Sequence, residues 1–294
     1  MIIKFWGTRG SLPVPGPSTV RYGGNTTCIS VHAASGEVLI LDAGTGIRPL
    51  GEQLAGEAPL SCSLFISHTH WDHIHGLPFF RPLFDQRNRV EIHGATDPVG
   101  KESIHDLLAH LLAYPHFPVR INELEADVSY QPLTEGQTIQ VGPVQVTTVH
   151  MHHTALTYGF RVECDGASMF FTADHEPFRA TQEADETDRE QYQRIVDQDN
   201  ERIRRQIEGV DLLIADSAYT TAEYKNGRAG WGHSTHEHSV ALAQAAGVRR
   251  LYMTHHEITR SDDELDEIQE RLREANTDKD LEIHMASEGM EIEL

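Results

Sequence analysis

Ser67-His68-Thr69-His70-Trp71-Asp72-His73-Ile74-His75-Gly76 follows the apolar, β-prone run Ser63-Leu64-Phe65-Ile66 and precedes Leu77-Pro78-Phe79-Phe80. In an extended segment residues two apart point the same way, so His68 and His70 present their imidazoles to one metal ion as the strand ends. Asp72 and His73, about one turn further on where a helix can begin, are placed for a second ion. Neutral imidazole nitrogen and carboxylate oxygen are the donors that a borderline ion such as zinc accepts.

The remainder of the composition bounds the surroundings of this run. Three cysteines, Cys28, Cys62 and Cys164, are scattered through 294 residues, which implies neither a disulfide framework nor a cysteine zinc site and fits a reducing cytoplasm. No leader with a cleavage site and no run of about eighteen apolar residues is visible, so a cytoplasmic protein without a membrane span is expected. The formal charge of −21 repels polyphosphates at long range. With no basic stripe in view, the sequence predicts no extended nucleic-acid surface and a small anionic substrate.

Taken in order, Ile2 to Trp6 reads as a strand and residues 7 to 25 as a Gly/Pro-rich loop, of the kind that rims a site. Arg9 and Arg21 in that loop are either surface charges or anion handles. Thr27 to His32 and Val38 to Leu41 read as a hairpin. Asp42, at the end of the second strand, either caps the helix over Ile47 to Leu54 or orients a ligating histidine through its second ring nitrogen. Val90 to His93 reads as a strand and Ile104 to Leu112 as a helix, with His105 and His110 solvent-facing or packed and not ligands. The β-rich segments Thr138 to Val141 and Val144 to Val149 lead into His150-Met151-His152-His153, where a third ligand of the first ion is expected. Ser168 to Thr172 delivers Asp174, a carboxylate whose two oxygens can bridge two ions or which can cap a helix beyond it. Residues 176 to 208 are charged throughout and read as a mostly solvated helix, with a lid or a homodimer contact as its options. Val210 to Asp216 is another strand ending in a carboxylate. Arg250 to Met253 precedes Thr254-His255-His256-Glu257, and Ser261 to Glu264 reads as a capping box for a last helix to about Ala275. Leu281 to Leu294 is expected to add an edge strand.

The HTHWDH run resembles the HxHxDH signature of the metallo-β-lactamase-fold hydrolases, and the likeness extends over most of the chain through FWGTRGSLPVPGP, RYGGNT, DAGTG and GWGHST. That resemblance implies an α+β fold, a four-layer αββα sandwich, as one domain over residues 1–294 with a charged helical elaboration at about 176–208. It selects His153, six residues before Gly159-Phe160-Arg161, over His150 and His152, and His255 over His256. It also favours the bridging role for Asp174. The implied ligand set is His68, His70 and His153 on one ion, Asp72, His73 and His255 on the other, with Asp174 shared. Two divalent ions are implied, zinc first, with manganese or iron as alternatives.

The Gly230-Trp231-Gly232-His233-Ser234-Thr235 run is similar to the His-Ser-Thr element of tRNA 3′-processing nucleases, which makes His233 the proton donor or transition-state stabiliser. Asp72 and His233 are thus the expected catalytic residues. Ions roughly 3.5 to 4 Å apart can hold a hydroxide between them and absorb transition-state charge. The leading expectation is a phosphodiesterase for a small, nucleotide-like substrate, including cyclic nucleotides. The alternatives are a tRNA 3′-processing endonuclease, a lactone, thioester or β-lactam hydrolase, and a metal sensor or carrier without turnover.

Overall fold

The computed structural model describes residues 1–179, 186–278 and 280–294. The first sheet takes β1 (Ile2–Gly7), β2 (Cys28–His32), β3 (Val38–Leu41), β4 (Ser61–Phe65), β5 (Arg89–Ala95) and β6 (Asp127–Leu133) in sequential order. The second takes β7 (Thr138–Val141), β8 (Val144–Met151), β9 (Thr157–Cys164), β10 (Ala167–Phe171), β11 (Leu212–Asp216), β12 (Arg250–Thr254) and β13 (Glu282–Met285). β14 (Glu291–Glu293) returns to the first sheet and pairs antiparallel with β1. Pairing is antiparallel from β1 to β3 and from β7 to β10, and parallel from β3 to β6 and from β10 to β13.

The two sheets pack face to face. Phe5, Ile29, Leu41 and Phe65 of the first meet Phe160, Met169, Phe171 and Ile214 of the second in one buried cluster. The opposite face of the first sheet, through Ile40, Leu64 and Ile92, is covered by α1 (Ile47–Leu54), α2 (Trp71–Ile74) and α3 (Ile104–Leu111). The outer face of the second, through Phe170, Leu213 and Leu251, takes Ile203 and Ile207 of α4 (Glu186–Ile207). Beyond α5 (Thr221–Glu223), a single turn, α6 (His236–Ala245) and α7 (Asp262–Ala275) complete that layer through Val240, Ala243, Leu265 and Ile268. The result is the α+β, four-layer αββα sandwich. Because β3 and β11 are covered on both faces, every residue in them is buried, the pattern that parallel strands require. α7 opens on the capping box read from Ser261 and Glu264.

Two expectations change. Leu281 to Leu294 forms two strands, one on an edge of each sheet, because the turn at Ser287 to Gly289 passes the chain across the sandwich. Of the charged stretch at 176–208, Glu186–Ile207 is helical and residues 176–179 are irregular, while 180–185 lie outside the described residues. Among the described residues no helix is long and apolar enough to cross a membrane.

Candidate metal centre

β3 and β4 run parallel and end side by side, so the residues just after them converge at one rim of the sandwich, the carboxyl-end location that open α/β sheets use for ligands. Asp42 leaves β3 in the left-handed region, φ 63°, which aspartate tolerates better than most residues. Its buried carboxylate accepts from the Ser67 amide at 2.7 Å, the Ser67 hydroxyl at 2.9 Å and His73 Nδ1 at 2.8 Å. Asp42 thus orients a histidine through its second ring nitrogen, and the N-cap of α1 is Gly46 instead. His70 has extended backbone and begins the turn of α2. His68 lies in the irregular chain between β4 and α2, His70 on the extended residue that opens α2, and Asp72 and His73 on one helical turn.

The second sheet supplies the facing residues. Asp174 follows β10, His153 follows β8, and His255 leaves β12 at φ 59°. His73 Nε2 lies 3.1 Å from Asp174 Oδ1. Asp174 Oδ2 lies 3.5 Å from His68 Nε2, 3.6 Å from His153 Nε2 and 3.3 Å from His255 Nε2. His153 Nε2 is 3.1 Å from His70 Nδ1, and His255 Nε2 is 3.1 Å from Asp72 Oδ2. Two donor sets share Asp174, each with its ligand atoms within 4.8 Å of one another: His68, His70, His153 and Asp174, then Asp72, His73, Asp174 and His255; a third cluster, Asp216, His233 and His255, adjoins the second through His255. Each is the mixed imidazole and carboxylate shell that zinc and similar divalent ions take.

Two further observations fit cations here. His68 Nε2 and His73 Nε2 are buried with no hydrogen-bond partner among the described residues, an arrangement that buried polar atoms avoid unless something else engages them. The carboxylates also call for positive charge. Burial pushes the His73 and His255 imidazoles toward neutrality, yet Asp174 and Asp72 outweigh it and hold both rings well above the ordinary histidine range. Asp174 is itself held well below the carboxylate range, with burial opposed by His255, His73 and His68. His68, where burial is reinforced by the neighbouring His73, His153 and His70 imidazoles and opposed by Asp174, is driven well down, and His153 is lowered to about 4, chiefly by burial. Ligating imidazoles must be unprotonated, so cation binding here exchanges protons for metal charge.

A supporting shell surrounds these donors. The Ser11 amide donates to Asp72 Oδ2 at 2.7 Å, and Gly10 presses so closely on His255 that a Cβ there would lie 2.1 Å from the ring. His153 Nδ1 donates to the Gly232 carbonyl at 2.8 Å. His233 Nδ1 lies 3.0 Å from Asp216 Oδ2, and its ring stacks on His255 at 4.4 Å between centroids. Asp216 is 1% exposed and also accepts from the His175 amide. Glu176, likewise 1% exposed, takes the Gly230 and Gly232 amides at 2.8 Å each and the Tyr224 hydroxyl, and so pins the GWGHST loop. Neither Asp216 nor Glu176 has a role expected from sequence. The available signals were a carboxylate closing a strand and a second carboxylate two residues beyond Asp174.

Other candidates lie elsewhere. His150 sits at the end of β8, half-buried, where its backbone joins Glu135 and Arg202. His152 donates to the Glu176 carbonyl, stacks on Phe178 and joins neither donor set. His256 is buried against the Ala286 carbonyl. Arg9 is neither a surface charge nor an anion handle: it is fully buried and binds the carbonyls of Gly23 and Arg260 at 2.8 and 2.7 Å. Arg21 pairs with Asp263 and Asp266 at 2.6 Å. Beside the segment from His68 to His73 lies a cavity of about 580 Å³, walled by Trp71, Ile74, Phe79, Leu107, His116 and Phe117.

Comparison with known proteins places this geometry among relatives. A family described as a β-lactamase superfamily domain matches residues 38–256. Ribonuclease Z of Haloarcula marismortui is 25% identical over 325 aligned residues, covering 99% of this chain and 96% of that protein. Among solved structures, the short form of human tRNase Z matches with a TM-score of 0.62 at 19% identity, over 100% of this chain and 99% of that one. The metallo-β-lactamase fold protein YhfI of Bacillus subtilis matches at 0.65 and 18%, over 99% and 98%. Relatives of matching length named as ribonucleases overturn the expectation of no extended nucleic-acid surface. That expectation rested on net charge, a far-field sum, whereas screening over about 8 Å lets local groups decide what binds.

Proposed function

The chain belongs to the β-lactamase superfamily, and from that premise we propose that this metal-dependent hydrolase cleaves RNA phosphodiesters, in the manner of a tRNA 3′-processing endonuclease. The observation that carries the reading is His233 fixed at 3.0 Å on buried Asp216 beside His255. A thioester hydrolase, whose leaving thiolate is stable, needs no such acid, whereas a phosphodiesterase that expels a ribose oxygen must protonate a departing alkoxide. We assign one divalent ion to His68, His70, His153 and Asp174 and a second to Asp72, His73, His255 and Asp174, with zinc ahead of manganese or iron on the strength of the donors. Such ions, when bound, bring the pKa of a coordinated water toward neutrality and withdraw charge from phosphoryl oxygens.

The protein's own residues do the remaining work. Asp42 and the Gly232 carbonyl each hold the Nδ1 hydrogen of one imidazole, of His73 and His153, so that Nε2 is the free donor atom. Ser11 and Gly10 fix Asp72 and His255 in place. His233 gives its Nδ1 hydrogen to Asp216, and the proton on Nε2 passes to the leaving ribose oxygen as the P–O bond breaks. Asp216 stabilises the imidazolium before that transfer.

The test is cleavage of a precursor tRNA carrying a 3′ trailer by zinc- or manganese-loaded protein, alongside bis(4-nitrophenyl) phosphate and 3′,5′-cyclic AMP. The expected result is trailer removal that EDTA abolishes and that His233→Asn slows by about 100-fold or more, the usual contribution of a positioned acid. Hydrolysis of bis(4-nitrophenyl) phosphate without any RNA cleavage overturns the RNA assignment. Turnover of cyclic AMP alone favours the second reading, a small nucleotide-like substrate, for which the cavity of about 580 Å³ beside Trp71 is the supporting observation.

A further inference from the structure

The segment between α5 and His233 carries two side chains that the proposed chemistry does not use. The Arg228 guanidinium lies over the Trp231 ring at 4.4 Å and over Tyr219 at 5.6 Å. Tyr219 meets His233 edge-on at 6.0 Å, so this group stands at the lip of the site. Other arginines are spent: Arg9 on carbonyls, Arg21 on Asp263 and Asp266, Arg260 on Glu223, Arg179 on Glu176. Arg228 has no carboxylate within ion-pair distance among the described residues. In a chain with 45 acidic and 24 basic side chains, an arginine seated on aromatic faces and left unneutralised is a local exception to the overall charge.

We propose that Arg228 and Trp231 form the subsite for a nucleotide flanking the scissile phosphate, the guanidinium binding a phosphate and the indole stacking on a base. The frame is rigid where it must be. Buried Glu176 holds the amides on either side of Trp231, at Gly230 and Gly232, while the indole itself is 54% exposed. A guanidinium held over an indole by cation–π attraction uses no N–H group in that contact, which leaves those donors for phosphate. Single-stranded nucleic acid is gripped elsewhere by this pairing of stacking ring and cation. The inference rests on the RNA reading of the same site, and its test separates the two.

Full-length, metal-loaded protein is titrated into a fluorescein-labelled 12-nucleotide phosphorothioate RNA, which resists cleavage, and anisotropy is followed from low to high salt. A parallel arm uses AMP as competitor. Arg228→Gln is expected to weaken binding and to flatten the log–log salt slope by about 0.7, the loss of one phosphate contact on a single strand. Arg228→Lys restores the slope and only part of the affinity, and Trp231→Ala weakens binding about tenfold. Arg87→Gln, which removes an exposed charge paired with Asp85 at 2.6 Å, controls for net charge. Circular dichroism confirms that each variant folds. If Arg228→Gln behaves as Arg87→Gln does, or if wild type binds no RNA, the subsite is wrong. If AMP competes as well as RNA and Arg228→Gln leaves only AMP binding weakened, the subsite serves free nucleotides and the RNA claim fails. If RNA binds with the expected slopes yet precursor tRNA is not cleaved, the subsite stands and the hydrolytic reading falls.

Discussion

Gly10→Ala isolates the support of a single donor. A Cβ on Gly10 would lie 2.1 Å from His255 Cε1, 2.2 Å from Nδ1 and 2.7 Å from Nε2. Ordinary carbon–carbon contact is about 3.5 Å, so the imidazole must retreat by roughly 1.4 Å. It has nowhere to go at no cost: the ring is buried, its Nε2 lies 3.1 Å from Asp72 and 3.3 Å from Asp174, and it stacks on His233. Gly10 does not occupy left-handed backbone, so alanine adds a clash and no φ strain. Misplacing a reacting group by about 1 Å costs on the order of 100-fold in rate, about 2.7 kcal/mol in barrier. Overpacking adds about 1–3 kcal/mol of destabilisation. The assay pairs metal content by mass spectrometry after dialysis with kcat/KM on bis(4-nitrophenyl) phosphate, and thermal melting confirms a folded variant. The expected outcome is partial loss of bound metal and the hundredfold fall in kcat/KM. A folded variant that keeps its full metal content and works within threefold of wild type would refute the argument that Gly10 seats His255.

Glu176→Gln turns an acceptor toward the Gly230 and Gly232 amides into a side chain that also carries donors, so we expect a stability loss of about 1–3 kcal/mol and a kcat lower by about tenfold to a hundredfold, read by urea titration and by rate. Acid should destabilise the fold through His236, which burial and the nearby Arg260 charge push down to about 4. The unfolded chain, with the ordinary value of 6.5, binds protons that the native state refuses, so this contribution is complete above about pH 6.5 and is lost as pH falls toward 4. At pH 5 the loss is about 2 kcal/mol, measured as the difference in urea-derived stability between pH 7.5 and pH 5 that His236→Asn lacks.

Much of the fold and of the donor placement was legible because it is local. The HTHWDH offsets translate directly into facing directions once β4 ends and α2 begins, and apolar runs such as Leu212 to Ala215 announce doubly covered strands. What was not legible depends on contacts between distant residues. Arg9 reads as a loop charge, yet its guanidinium is enclosed by a carbonyl 251 residues away. Glu176 opens a charged stretch that reads as solvated, and only the fold shows that it faces the amides of a loop 54 and 56 residues later. Asp216 closes a strand as any surface carboxylate might; the partner that gives it meaning, His233, comes 17 residues on. β6, with the pattern Asp127-Val128-Ser129-Tyr130-Gln131-Pro132-Leu133, gives little signal because its apolar alternation is weak and it carries a proline; that proline is tolerated because the strand lies on a sheet edge.

The formal charge misled for a related reason. A sum over the whole chain treats Asp42, Asp72, Asp174 and Asp216 like any surface carboxylate, yet all four are buried against imidazoles or amides. They project little field into solvent. Exposed acids on α7 are partly cancelled by Arg21 and lie on the face built from Asp263 and Asp266. A substrate phosphate approaching His233 meets instead the Arg228 guanidinium on its aromatic seat, and cations held by the two donor sets would add to that local excess. With screening over about 8 Å, the field at the mouth is set by this short list of groups, so a polyanion and a chain of charge −21 are compatible wherever the acids are internal or distant. The consequence is specific: raising salt should weaken RNA binding by wild type, since the contact is a local attraction, whereas a protein repelling RNA through its overall charge would bind more tightly as salt increases.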